Sequence, residues 1–255
     1  MWRYIRIGIL LFILATVAQT AWLAKSRTTE WKYGVRVAVY PIRGDDSAAT
    51  AGYVDLLRQE TFQPIAEFMS LEARRHGVAL DTPVEIYLAP LIASPPPPAP
   101  HGAGTLSVML WSLQMRYWAW SKDKFKGPKP DVRMFVSYYD PVRTHRLAHS
   151  TGLQKGLIGV VNAFAHTQMD GSNNVVITHE LLHTFGATDK YDFANNRPKF
   201  PDGYADAQAH PLHPQKQAEL MAGRIPVSES QAEIPKSLRD IVIGVATARE
   251  INWVK

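Results

Sequence analysis

His179-Glu180-Leu181-Leu182-His183-Thr184-Phe185-Gly186-Ala187-Thr188-Asp189 spells H-E-x-x-H-x-x-G-x-x-D, and the rest of the chain is read outward from it. Side chains four apart share a helix face, with Cβ atoms about 5–6 Å apart. His179 and His183 can therefore reach one metal ion, and Glu180 can face a water bound to it. At roughly 100° per residue, Val175, Ile177, Leu181, Leu182 and Phe185 fall on one arc, with His179, Glu180, His183 and Val176 opposite. One side is expected to bury and the other to line a cleft. Gly186 stands where a helix ends at positive φ, which glycine adopts without steric cost. That turn lets a side chain three residues later swing back, which suits Asp189 as a third ligand. Asp192 is the nearest rival, and His210, His213 and Glu219 are reachable through a longer loop.

The string resembles the long motif of the metzincin clan of zinc metallopeptidases, which runs past H-E-x-x-H through a glycine to a third ligand. Most members carry His there; Asp189 departs from them and is similar to the snapalysin-type secreted proteases, which use Asp. The clan also sets a methionine turn beneath its ligands, and Met221 in Glu219-Leu220-Met221-Ala222-Gly223 is the candidate. The resemblance implies Zn2+ held by His179, His183 and Asp189, Glu180 as general base, and Gly186 and Met221 in support. It implies an α+β fold: a mixed twisted sheet of about four to five strands packed on helices, the active-site helix followed by the Met turn and a C-terminal helix. In that clan the strand before the motif helix is an antiparallel sheet edge that takes extended peptide by strand addition. Leu157 to Ala163 is the expected rail, with Leu157, Gly159 and Val161 as substrate contacts. Tyr191 and Tyr204 are candidates for binding an oxyanion.

These expectations amount to a zinc-dependent endopeptidase acting on peptide or protein substrates. A cell-wall peptide amidase or peptidase carries the same motif, since both reactions hydrolyse amides. A retired peptidase fold used as a binding module is the non-enzyme alternative, against which the intact Glu180 argues.

At the N-terminus, Arg3 and Arg6 precede an uncharged run from Ile7 to Ala24, closed by Lys25 and Arg27. Eighteen residues span about 27 Å as a helix, close to a bilayer core of about 30 Å. Residues 1–27 thus read as a transmembrane signal-anchor and 28–255 as one exported catalytic domain, periplasmic or extracellular. If the run is cleaved as a signal peptide, the protein is secreted. The absence of cysteine excludes disulfides and a Cys-ligated zinc. A net charge of +5 is mildly basic. No basic run interleaved with aromatics points to nucleic acid.

Along the chain, Val35, Val37 and Val39 alternate with Arg36, Ala38 and Tyr40 as a strand ending at Pro41. Tyr53 to Arg75 reads as a helix kinked or split at Pro64. Val84 to Leu88, Val132 to Tyr138 and Gly156 to Phe164 read as strands. Between them, after Pro95-Pro96-Pro97-Pro98, Leu106, Met109, Leu110, Leu113, Tyr117 and Trp120 recur at helical spacing, with Trp111, Met115 and Trp118 as a second stripe. A helix apolar on two faces is expected to be buried on both; the functional alternative is a surface resting on a membrane. Ser237-Leu238-Arg239-Asp240 resembles a capping box opening a C-terminal helix.

Overall fold

Alternation along one strand builds the centre of the fold. In β1 (Val35–Arg43) the side chains of Val35, Val37 and Val39 enter one apolar core, while Ala38, Tyr40 and Ile42 enter a second on the other face. A strand buried on both faces belongs inside a parallel sheet, and β1 pairs in parallel with β2 (Val84–Leu88) and β3 (Val132–Tyr139). β3 pairs in parallel with β5 (Ile158–Phe164), and a three-residue strand, β4 (Thr151–Leu153), closes the edge antiparallel to β5. The sheet order is β2-β1-β3-β5-β4. The computed structural model describes residues 26–98, 100 and 104–255, with residues 2, 4–8, 11, 12 and 19 of the N-terminal stretch.

Helices cover both faces. α1 (Ala48–Leu56), α2 (Gln63–Arg75) and the motif helix α4 (Asp170–Phe185) bury Tyr53, Ile65, Phe68, Met69, Ile177, Leu181 and Phe185 in the larger core. α3 (Thr105–Lys122) lays Trp111, Met115 and Ala119 on the opposite face. A short C-terminal helix, α5 (Val245–Glu250), adds Ala248 to the larger core.

Several expectations are corrected. The class is mixed α/β around a mostly parallel sheet, not α+β. Among the described residues no helix is long and apolar enough to cross a membrane, against the expected N-terminal transmembrane helix. Most of the run from Ile7 to Ala24 that suggested it lies outside the described residues. β1 continues through Pro41 to Arg43 because pairing with β2 has ended at Val39, so the missing proline N–H leaves no ladder bond unmade. Of the two readings at Pro64, a kink or a split, the structure shows the split: α1 ends at Leu56 and α2 opens at Gln63 with Pro64 in its first turn, where no intrahelical N–H is required. The Ser237–Asp240 capping box forms, but it closes a 3-10 turn ahead of a two-residue strand, and α5 begins later, at Val245. α3 is buried on one face only.

Candidate metal centre

The sequence fixes α4 to the end of β5 through two asparagines. Asn173 accepts from Phe164 N at 3.1 Å and donates to Phe164 O at 2.9 Å, while Asn174 donates to Thr61 O at 2.8 Å. With Tyr53 donating to Asp170 at 2.6 Å, these bonds set the helix's position along the sheet. Its apolar arc then buries as the periodicity requires: Ile177, Leu181, Leu182 and Phe185 are inaccessible, and Trp31 meets Phe185 edge-on at 5.3 Å. His179 and His183 emerge on the other side, partly exposed.

The helix ends at Gly186, with φ of 107°. Gly186 N donates to His183 O and Ala187 N to Leu182 O, satisfying carbonyls the last turn would leave unpaired. A Cβ at Gly186 would stand 2.6 Å from the end of the Gln154 side chain, which can swing aside, so it is φ that requires glycine here. The chain that leaves this turn is held by α5. Glu250 accepts from Thr188 N at 2.9 Å, Thr188 Oγ1 at 2.7 Å and Lys190 Nζ at 2.7 Å. Asp189, between those two residues, turns back to the histidines.

Three atoms converge there. His179 Nε2 and His183 Nε2 are 3.1 Å apart, and Asp189 Oδ1 lies 3.1 Å from the first and 3.2 Å from the second. Each imidazole directs Nδ1 at a backbone carbonyl, His179 to Leu220 O at 3.0 Å and His183 to Ala187 O at 2.8 Å. A neutral ring that donates from Nδ1 leaves a lone pair on Nε2. Three lone-pair atoms then face one another. Asp189 Oδ1 is buried and receives no directed hydrogen bond although both rings stand at ion-pair distance. Such a set is repulsive unless a cation or protons lie between its members. Tetrahedral ligand atoms about 2.0–2.2 Å from a zinc are about 3.3–3.6 Å apart, within about half an ångström of the separations seen. The residues fit a divalent cation.

The charge balance agrees. Burial pulls His179 towards the neutral ring, but Asp189, Glu180 and the Leu220 carbonyl outweigh it and raise its pKa. Burial likewise opposes ionisation of Asp189, yet the two imidazoles hold its carboxyl well below the usual range.

Glu180 is 6% exposed, and burial raises its pKa against the pull of both imidazoles. Its Oε2 is buried with no partner. His179, Glu180 and His183 each offer a ligand atom within 4.8 Å of the others. Asp189 Oδ1 stands nearer both rings than the Glu180 carboxylate does. Met221 is fully buried in a 3-10 turn (Leu220–Ala222) whose Leu220 carbonyl holds His179, and Lys190 N donates to Met221 O at 2.9 Å. The rivals are engaged elsewhere. Asp192 caps its own turn through Ala194 N at 2.8 Å, and Glu219 accepts from Ala222 N, Gly244 N and Thr247 Oγ1. His213 meets the Tyr204 hydroxyl at 3.2 Å, and His210 lies on the surface. The Tyr204 ring packs on Phe200 and His213. Tyr191 faces the centre: its ring centroid is 6.4 Å from that of His179, and burial, with Asp189 and Glu180 nearby, pushes its hydroxyl up to about 12.

The strand expected as the substrate rail is not an edge of the sheet. Ile158, Gly159 and Val160 in β5 are paired to β3 on one side and to β4 on the other, and Val161 is fully buried. Leu157 is buried too, in the left-handed region at φ 51°. None of Leu157, Gly159 and Val161 offers a free edge; the free edge next to α4 is β4. Gly152, in its middle, packs so closely that a Cβ would stand 2.4 Å from Glu180 O and 2.5 Å from His183 Cβ, and its N–H favours the ionised Glu180 carboxylate. Sequence reading missed Gly152 and Glu250. A lone Thr-Gly-Leu carries no period, and nothing local ties residue 250 to residue 189.

No protein-family model matches the chain, and no curated protein matches it.

Proposed function

We propose that the protein is a zinc-dependent hydrolase of peptide bonds, with His179, His183 and Asp189 as metal ligands and Glu180 as general base and then acid. The observation that carries the reading is the triangle of His179 Nε2, His183 Nε2 and Asp189 Oδ1, each 3.1–3.2 Å from the others, with a buried, unpartnered Glu180 carboxylate oxygen beside it. A zinc ion held there would polarise an amide carbonyl and acidify a water. Glu180 is positioned to take a proton from that water and return it to the leaving amine. Its buried setting raises its affinity for the proton in transit, and the Gly152 N–H steadies the ionised form. The carbonyls of Leu220 and Ala187 keep both imidazoles in the metal-binding tautomer. An extended peptide is expected to add to the outer edge of β4, bringing a scissile bond alongside Glu180.

Glu180→Gln tests the assignment. It should keep zinc while lowering cleavage of a peptide library or casein about 10²–10⁴-fold. Equal inactivity of wild type and variant, both zinc-loaded, would favour a binding module. Release of fragments from peptidoglycan without protein cleavage would favour a cell-wall peptidase.

A further inference from the structure

We propose that the outer face of α3 docks on an anionic lipid surface. Leu106, Met109, Leu110, Leu113, Tyr117 and Trp120 lie within an arc of about 100° when placed at 100° per residue, and each is between 59% and 73% exposed. The opposite arc, with Trp111, Met115 and Ala119, is spent on the sheet. The outer side chains therefore contribute nothing to the core. Six large apolar residues contiguous on one helix exceed the scattered exposure normal for a surface. Tyr117 and Trp120 pair with centroids 6.0 Å apart at the C-terminal end of the stripe, the residue types that suit a lipid–water boundary.

Charge identifies the occupant. From residue 104 to residue 157, nine Lys and Arg stand against three Asp, a surplus larger than the +5 of the whole chain, so the remainder is slightly acidic. Lys124, Lys126 and Lys129 follow Trp120 directly along the chain and are exposed. Among the described residues none of the three forms an ion pair. The acids in the segment are otherwise committed: Asp123 to Arg133 and Tyr40, Asp131 to Arg27 and Arg36, Asp140 to the backbone N–H of Val142. An apolar helix face carrying interfacial aromatics and continued by unpaired lysines is the combination that binds anionic bilayers. A purely apolar partner, such as a second copy of this face, would gain nothing from the lysines and would bring like charges together. Because α3 and α4 cover opposite faces of the sheet, docking leaves the metal centre on the side away from the lipid.

The absence of cysteine allows a clean test on the full chain. Leu113→Cys carries an environment-sensitive fluorophore on the docking face; Leu71→Cys, equally exposed on α2, is the control. On phosphatidylcholine vesicles containing phosphatidylglycerol, the label at 113 should shift to the blue and be quenched by brominated lipid, and the label at 71 should not. Reversing Lys124, Lys126 and Lys129 to Glu should weaken partitioning by roughly a hundredfold or more. A label at 113 that stays in water on these vesicles overturns the proposal, as does equal immersion on phosphatidylcholine alone. Shielding before vesicles are added also overturns it, as cover by a second copy if concentration-dependent or by this chain's own segment if not.

Discussion

α3 and α4 are helices of 18 and 16 residues laid on opposite faces of one sheet, and the sequence marks both as helical by the same spacing of apolar residues. They differ in what stands opposite the buried arc. On α4 the opposite arc carries His179, His183 and Glu180; both rings are oriented by carbonyls, and a third ligand is returned by the turn behind them. On α3 it carries six apolar side chains that touch no core. Periodicity reports that a face is apolar; it does not report what the face meets. The unusual feature of α4 is a cluster of titratable groups drawn together in a largely buried setting, and that of α3 is apolar groups left to solvent. Both departures from ordinary patterning are where function is expected.

The contrast can be tested at three strengths. Phe185→Ala, deleting a fully buried ring packed on Trp31, should cost about 3–5 kcal/mol in denaturant unfolding. A cost below about 1 kcal/mol would mean that α4 is not anchored through this arc. Glu250→Gln weakens the clamp on Thr188 and Lys190 and should reduce zinc affinity about 10–100-fold, measured by competition with a chelating dye. Unchanged affinity would mean that Asp189 is positioned without α5. Leu113→Ala on the outer face of α3 should alter stability by no more than about 0.5 kcal/mol. A loss comparable to that of Phe185→Ala would show that the face is covered in the free protein.

The motif helix, its capping glycine and the convergence of His179, His183 and Asp189 were legible because each rests on local physics: a 3.6-residue repeat, a left-handed turn and a short return. The strands that open at Val35 and Val132 were legible from alternation, the first only as far as Pro41. β4 was not, since three residues centred on a glycine show no alternation, and its place is set by Gly152 fitting against Glu180 and His183. Assigning the edge to β5 followed from missing β4. Glu250 was invisible because its partners lie about sixty residues upstream. The face α3 turns to solvent was misjudged because apolar composition was equated with burial.

Metal content of the purified full chain tests the central claim most directly. Wild type and Asp192→Ala should each bind about one zinc ion, and Asp189→Ala should fall well short of that. Retention of full stoichiometry by Asp189→Ala with loss from Asp192→Ala, or a wild type that takes up no zinc, would contradict the account.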